Sequence, residues 1–158
     1  MRCIMLIGLP AAGKSTWRSQ FLKTVNCDEW VSISSDDFIE SFAKSSGKTY
    51  TEVFNDANKL AMEDMEKNIR SAITMGKNMI WDQTNTTAKA RVKKMKQIPS
   101  SYKIEAVYVV APDEKEHIRR LNSRPGKIIP DYVINSMRAG FEVPTIEEGF
   151  EKVTIVHS

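Results

Sequence analysis

Apolar residues fall along this chain in two alternating rhythms. Short, almost uninterrupted apolar runs occur at residues 2–7 (RCIMLI), 30–34 (WVSIS), 78–82 (NMIWD), 104–110 (IEAVYVV) and 152–156 (KVTIV). Such runs, rich in Val and Ile, predict strands buried on both faces. Between them, apolar positions recur every three or four residues, beginning with residues 14–25. Residues 51–75 place Phe54, Ala57, Ala61, Met65, Ile69 and Ala72 on one helical face, and Gly76 suits the position just past the cap. Ala88, Val92 and Met95 stripe a further helix within residues 86–98. Residues 114–123 and 130–141 complete the set, the latter with Pro130 at a first helical position. Strands alternating with helices predict an α/β fold: a parallel sheet with helices on both faces.

With 158 residues, 41% of them hydrophobic, the chain fits one globular domain, residues 1–158. There is no repeat, low-complexity tract or linker, only Pro/Gly-flanked interruptions at residues 124–130 and 143–149. No apolar stretch is long enough to span a bilayer. The opening residues run straight into a glycine loop without a small-residue cleavage site, so they do not read as a signal peptide, and a cytoplasmic location is expected. Cys3 and Cys27 lack disulfide or metal-ligand spacing and read as small buried thiols in a reducing compartment. His117 and His157 have no partner motif and read as surface residues, while Trp17 and Trp30 are assigned to packing. A formal charge of +3 names no partner, but its distribution is uneven. Residues 83–103 carry no acid, yet hold Lys89, Arg91, Lys93, Lys94, Lys96 and Lys103. Acid gathers instead in residues 28–40 and 142–151.

The candidate chemistry starts where the first strand ends, in GLPAAGKS, Gly8 to Ser15. A nucleotide's β- and γ-phosphates are densely charged, and a ring of backbone N–H groups can surround them. Gly8 lets the chain turn off the strand, Pro10, Ala11 and Ala12 carry the loop, and Gly13 lacks the Cβ that would block phosphate approach. Lys14 reaches the β/γ bridge, Ser15 offers a hydroxyl to Mg²⁺, and Thr16 adds another hydroxyl. The helix that begins here points its positive end at the anion.

Three further groups separate binding a nucleotide from using it. In SSDDF, Asp36 follows the carboxyl end of the second strand, where ligands of parallel sheets bind. A carboxylate there can take the proton of an attacking hydroxyl, although Ser and Asp at that place also serve as helix caps, the role expected of Asp37. In WDQTN, Asp82 closes a buried strand as a second anchor for Mg²⁺, with Thr84 and Asn85 toward substrate; an ordinary Asn/Thr turn is the alternative. In RRLNSRPGK, Pro125 and Gly126 interrupt a helix bearing arginines, as a small lid requires. Arg124 is the expected lid cation, with Arg120 or Arg119 near the donor, unless these arginines form a solvated helix face.

GLPAAGKSTW, SSDDF, DQTN followed six residues later by Arg91, and NSRPGKIIP resemble, in order, the kinase domain of bacteriophage polynucleotide 5′-kinases, an adenylate-kinase-like branch of the phosphate-loop proteins. The resemblance implies a three-layer sandwich with sheet order 2-3-1-4-5 and a short lid. It makes Lys14 and Ser15 the holders of donor phosphates and Mg²⁺, Asp36 the general base and Arg124 the lid arginine. It turns Ser35, Thr84, Asn85 and Arg91 toward the acceptor. DQTN…AKARVKKMK and IPDYVINSMRAGFEVP also resemble the nucleotide-binding domain of heterogeneous nuclear ribonucleoprotein U, a likeness that points to RNA binding. The phage kinases carry an acceptor-gripping arginine just beyond their Asp pair, where this chain has Ile39. No Asp-x-Asp phosphatase motif is present.

These features predict a Mg²⁺-dependent kinase that passes the γ-phosphate of ATP, or another NTP, to the 5′-hydroxyl of single-stranded DNA or RNA. The outward Lys89, Lys93 and Lys96 can track a phosphodiester backbone, and Phe38, Phe42, Tyr50 and Phe54 can stack bases or pack in the core. A small-molecule kinase of the same fold (nucleoside, sugar or antibiotic) and a non-catalytic nucleotide- or RNA-binding module are the alternatives.

Overall fold

A computed structural model describes residues 1–158. Its sheet comprises β1 (Arg2–Ile7), β2 (Trp30–Ile33), β3 (Asn78–Asp82), β4 (Lys103–Val110) and β5 (Lys152–His157). All pairings are parallel, in the order β2-β3-β1-β4-β5 expected from the resemblance. Six helices connect and cover it: α1 (Lys14–Leu22), α2 (Ser35–Ser46), α3 (Tyr50–Thr74), α4 (Ala88–Met95), α5 (Glu114–Asn122) and α6 (Asp131–Ala139).

The central strand explains its own composition. Successive β1 side chains point to opposite faces. Cys3 packs with Met65, Ile69 and Ala72 of α3, whereas Ile4 and Leu6 pack with Trp17 and Phe21 of α1. Met5 and Ile7 join Phe150, Met95 and Phe141. Because both faces are covered, the strand is apolar at every position from Cys3 to Ile7 rather than at alternate ones. No helix is long and apolar enough to cross a membrane.

Several boundaries depart from expectation. The helix at 35–46 shows only as a capping signal in the sequence; Ser34 caps it by accepting from the backbone N–H of Asp37, and left-handed Gly47 ends it. In α3 the buried stripe begins at Val53, not at Phe54, which is 40% exposed. One residue of phase matters here, since Val53 packs with Ile39 and Ala43 of α2. Gly76 does take the left-handed position after α3. The first helix stops at Leu22, where both the backbone N–H and the hydroxyl of Thr24 turn back to the Phe21 carbonyl. Pro130 is the cap of α6 rather than its first residue. Cys27 is exposed, not buried, and His117 is buried, not at the surface.

Candidate active site

The loop after β1 is pinned on both sides. The Gly8 N–H donates to the Thr84 carbonyl at 3.0 Å, and a Cβ on Gly8 would lie 2.5 Å from the Val109 carbonyl oxygen. Only glycine fits between the ends of β3 and β4. Ala11 is left-handed, Ala12 is buried beneath the loop, and Gly13 caps α1 without any side-chain hydrogen bond. The first N–H groups of α1 therefore have no side-chain acceptor, the arrangement that suits an anion. Lys14 lies buried across the loop, donating to the carbonyls of Gly8 at 2.9 Å and Leu9 at 2.8 Å. Burial pushes its pKa down to about 8, against the opposing pull of Asp82 and Asp36.

Ser15 Oγ lies 3.4 Å from Asp82 Oδ2, at the end of β3. Burial raises the Asp82 pKa, and the charges of Arg18 and Lys14 only partly oppose it. A desolvated carboxylate beside a hydroxyl is a donor set that fits Mg²⁺, which takes few protein oxygens and completes its shell with water and phosphate. Arg18, which sequence reading passes over, also reaches this pair. Its Nη1 is 2.9 Å from Asp37 Oδ2 and 3.1 Å from Asp82 Oδ2, although too poorly aligned to hydrogen-bond. The spacing from Lys14, four residues along α1, is the signal that could have revealed it. Asp37 is thus an ion-pair partner; the cap is Ser34.

The loop opens into a crevice of about 1350 Å³, lined by Pro10, Gly13, Thr16, the starts of α2 and α3, the end of β3 and the segment after α5. Asp36 stands in the first turn of α2. Its Oδ1 accepts from the Tyr50 hydroxyl at 2.6 Å and its Oδ2 from Lys127 Nζ at 2.8 Å. Burial raises the Asp36 pKa, but Lys127, Tyr50 and Arg124 together outweigh it and hold the carboxyl below its ordinary value. Ser35 and Thr84 also line the crevice, Ser35 Oγ accepting from Gln83 at 3.2 Å.

The arginine-bearing segment covers the same space. Gly126 is left-handed, and a Cβ there would come 2.7 Å from Thr49 Cβ. Its carbonyl accepts from the Thr51 N–H at 3.0 Å, and Thr51 Oγ1 accepts from the Ile128 N–H at 2.9 Å. The lid is therefore docked on the start of α3. We expect Gly126→Ala to undock it and to destabilise the fold by about 1–3 kcal/mol, through backbone strain plus the clash. Chemical denaturation measures this, and an unchanged midpoint would contradict it. Arg124 lines the crevice. Arg120 pairs with Glu116 and donates to Ser158 Oγ at 3.2 Å, close to Gly13, while exposed Arg119 pairs only with Glu116.

Two residues expected to face the acceptor do not. Asn85 is buried in a left-handed conformation, its amide donating to the Leu6 carbonyl at 2.6 Å. Arg91 is wholly buried: Nη1 donates to the Asn85 carbonyl at 2.8 Å, while Nε and Nη2 clamp Glu148 at 2.7 Å each. Asn85 ties the turn after β3 to the end of β1, and Arg91 satisfies the carbonyl of that turn. Removing one partner of such a pair strands the other charge, so Arg91→Ala should cost about 3–5 kcal/mol. A loss under 1 kcal/mol in urea unfolding would contradict this placement. Lys89, Lys93 and Lys96 are exposed but do not line the crevice. Lys94 instead folds back onto Asn85 Oδ1 and the Trp81 ring, and burial pushes its pKa down to about 8. Of the four aromatics, Tyr50 and Phe54 line the crevice, whereas Phe38 and Phe42 pack against the α2–α3 core. His117 braces the phosphate loop from behind. Arg138 Nη2 lies 2.9 Å from Nδ1 and, as arginine can only donate, Nε2–H must be the donor to the Pro10 carbonyl at 2.7 Å.

Comparison with known proteins places the fold. The sequence model of the family described as AAA domain matches residues 3–144. Among solved structures, a protein assigned as a kinase from Chloroflexus aurantiacus is 16% identical, with TM-score 0.71 over 99% of this chain and 87% of that one. A chain of the Pnkp1/Rnl/Hen1 complex is 21% identical, with TM-score 0.59 over 82% of this chain and 41% of that one. A gluconokinase from Sinorhizobium meliloti is 14% identical, with TM-score 0.56 over 99% of this chain and 82% of that one. At such identities the structures share the fold, a phosphate-loop kinase-like α/β sandwich. The sequence match spans nearly the whole chain, and on it the protein belongs to the AAA domain family of phosphate-loop proteins.

Proposed function

We propose that this chain, read as one domain over residues 1–158, is an ATP-dependent phosphotransferase whose acceptor is an alcohol, with the 5′-hydroxyl end of a single-stranded nucleic acid as the leading acceptor. The observation that carries the reading is the placement of Asp36 and the phosphate loop in one crevice beneath a lid bearing Arg124. Nucleotide binding alone requires neither the carboxylate nor the lid cation. In the reaction, the acceptor hydroxyl gives its proton to Asp36 while its oxygen bonds to the γ-phosphorus. The bond from that phosphorus to the β–γ bridging oxygen breaks, and its electron pair leaves with ADP. Lys14 and Arg124 offset charge on the transferring group, and Arg120 lies by the donor. Mg²⁺ held by Ser15 and Asp82 would neutralise phosphate charge when bound.

Tyr50 and Phe54 in the crevice support a base-bearing acceptor, as do the motif resemblance and the likeness to a chain of the Pnkp1 complex. A second reading, a compact small-molecule acceptor, is favoured by the burial of Arg91 and by the lysine face of α4 lying off the crevice. The two separate in one assay with labelled ATP. The leading reading expects a 5′-hydroxyl oligonucleotide to be phosphorylated far better than a nucleoside or a sugar. Its apparent affinity should fall with salt, at a logarithmic slope of about 0.7 per phosphate contact. Equal use of nucleoside and oligonucleotide without salt dependence selects the second reading.

A further inference from the structure

The two oxygens of Asp36 are held by different parts of the fold. Oδ1 takes a hydrogen bond of 2.6 Å from Tyr50, the first residue of α3. That helix start is fixed independently of the crevice: Thr49 and Glu52 form a reciprocal capping box, and the Tyr50 ring packs on Phe54 with centroids 5.7 Å apart. Oδ2 takes its hydrogen bond from the lid, through Lys127 Nζ at 2.8 Å. The same ammonium reaches Glu40 Oε1 at 3.2 Å and lies 4.3 Å from the Tyr50 ring centroid. Although carried by a surface segment, the Lys127 side chain is only 11% exposed. Its neighbour Gly126 is the point at which the lid docks on Thr49 and Thr51.

The geometry points to Tyr50 and Lys127 as the positioning residues of the base: Tyr50 fixes Oδ1 so that Oδ2 is the proton-accepting oxygen, and Lys127 covers Oδ2 until an acceptor hydroxyl takes its place. This rests on the reading of Asp36 as general base. A phenol held at an anchored helix start stays in place whichever way the lid moves, so one oxygen is permanently assigned. An ammonium has three donors and no acceptor. While Lys127 lies on Oδ2 it satisfies that oxygen, and both residues line the crevice that would receive the acceptor. Release of Lys127 needs only its side chain to swing off Oδ2, toward the Glu40 carboxylate it already reaches, while the docked lid keeps Arg124 at the crevice. Acceptor entry and the displacement of Lys127 from Oδ2 are thereby one event, and the base is uncovered only when there is a hydroxyl to receive.

Titratable groups from every neighbouring element share the crevice with Asp36: Glu40 and Asp37 on its own helix, Lys127 and Arg124 on the lid, Tyr50 on α3, Lys14 and Arg18 on α1, and Asp82 on β3. Variants at Tyr50 and Lys127 leave the others in place, so their effects on Asp36 can be read separately. The test combines ¹³C-carboxylate NMR titration of the free protein, with Asp36 assigned by its loss in Asp36→Asn, and steady-state transfer from ATP to a 5′-hydroxyl oligonucleotide. Tyr50→Phe keeps the ring packing, and should lower kcat about tenfold while moving both the acid limb and the Asp36 titration to higher pH, because the carboxylate loses a donor. Lys127→Met should also move the Asp36 titration upward but lower the KM for the oligonucleotide, since the cover is gone, and Lys127→Arg should restore the titration. An unmoved Asp36 titration and unchanged kcat in Tyr50→Phe would overturn the assignment of Oδ1. A raised oligonucleotide KM in Lys127→Met would overturn the cover and make Lys127 an acceptor ligand. Full turnover in Asp36→Asn would instead sink the base reading itself, a result the titrations of the two variants do not depend on.

Discussion

Lys14→Met should weaken nucleotide binding sharply and leave the fold at least as stable as it was. The ammonium lies buried across the loop with only the Gly8 and Leu9 carbonyls as hydrogen-bond partners, and its pKa has fallen from 10.5 to about 8. That drop corresponds to a penalty on the order of 3 kcal/mol for keeping the charged form inside the folded chain. The penalty is fully present below pH 8, where both folded and unfolded chains hold the proton. It is relieved between about pH 8 and 10.5, where the unfolded chain alone still binds it. An anionic ligand at the open N–H groups of α1 would offset the cost of keeping this buried cation beside them. Losing it should weaken ATP binding by about 10²- to 10³-fold, as expected for one partner of a desolvated charge pair. In the wild-type chain, ATP affinity should decline as pH rises through about 8, because the free protein then sheds the proton from Lys14. Calorimetric titration at pH 7 and pH 9.5, with thermal unfolding of both proteins, checks all three statements. Undiminished ATP binding by Lys14→Met would mean that the loop is not the donor site.

Asp36→Asn should preserve ATP binding and reduce transfer by about 10²- to 10⁴-fold, the range for loss of a general base. Asparagine keeps the size of the side chain and can still meet Tyr50 or Lys127, but it accepts no proton. The carboxyl is held below its ordinary pKa by Lys127, Tyr50 and Arg124 against the opposing effect of burial, so it is ionised throughout the neutral range. At saturating ATP, transfer should therefore be flat from above the ordinary carboxylate range to about pH 8, where Lys14 begins to lose its proton, and Asp36 should limit it only in acid. Asp37→Asn, which loses an ion pair with Arg18 at the half-exposed side of α2, should be far milder. Equal losses in the two variants would mean that local charge, not proton transfer, is at issue.

What could be read from the sequence follows the range of the interactions involved. The strands, their alternation with helices, Gly76 after α3 and the phosphate loop rest on residues close in the chain, where period and turn chemistry act. Arg91 shows where this stops. Its spacing from DQTN matched an acceptor-facing pattern, but its direction is set by Glu148, which approaches from 57 residues away. His117 is similar, since no local feature marks a residue whose partners, Pro10 and Arg138, lie 107 and 21 positions distant. Lys127 lies within the lid motif with no role legible there, because Asp36 meets it only once the lid folds across α3. The shift of the buried stripe from Phe54 to Val53 has another cause. Periodicity locates a helix readily, but the edge of its buried stripe depends on which neighbour covers it, here α2.

The most direct measurement is transfer of the labelled γ-phosphate from ATP to a panel of hydroxyl acceptors, comparing wild type with Asp36→Asn at equal ATP saturation. The account predicts a labelled acceptor from the wild-type protein, with a 5′-hydroxyl oligonucleotide the best substrate, and transfer reduced at least about 100-fold in the variant. ATP binding by both proteins with no acceptor labelled by either would contradict it, and would leave a nucleotide-binding module whose crevice performs no transfer.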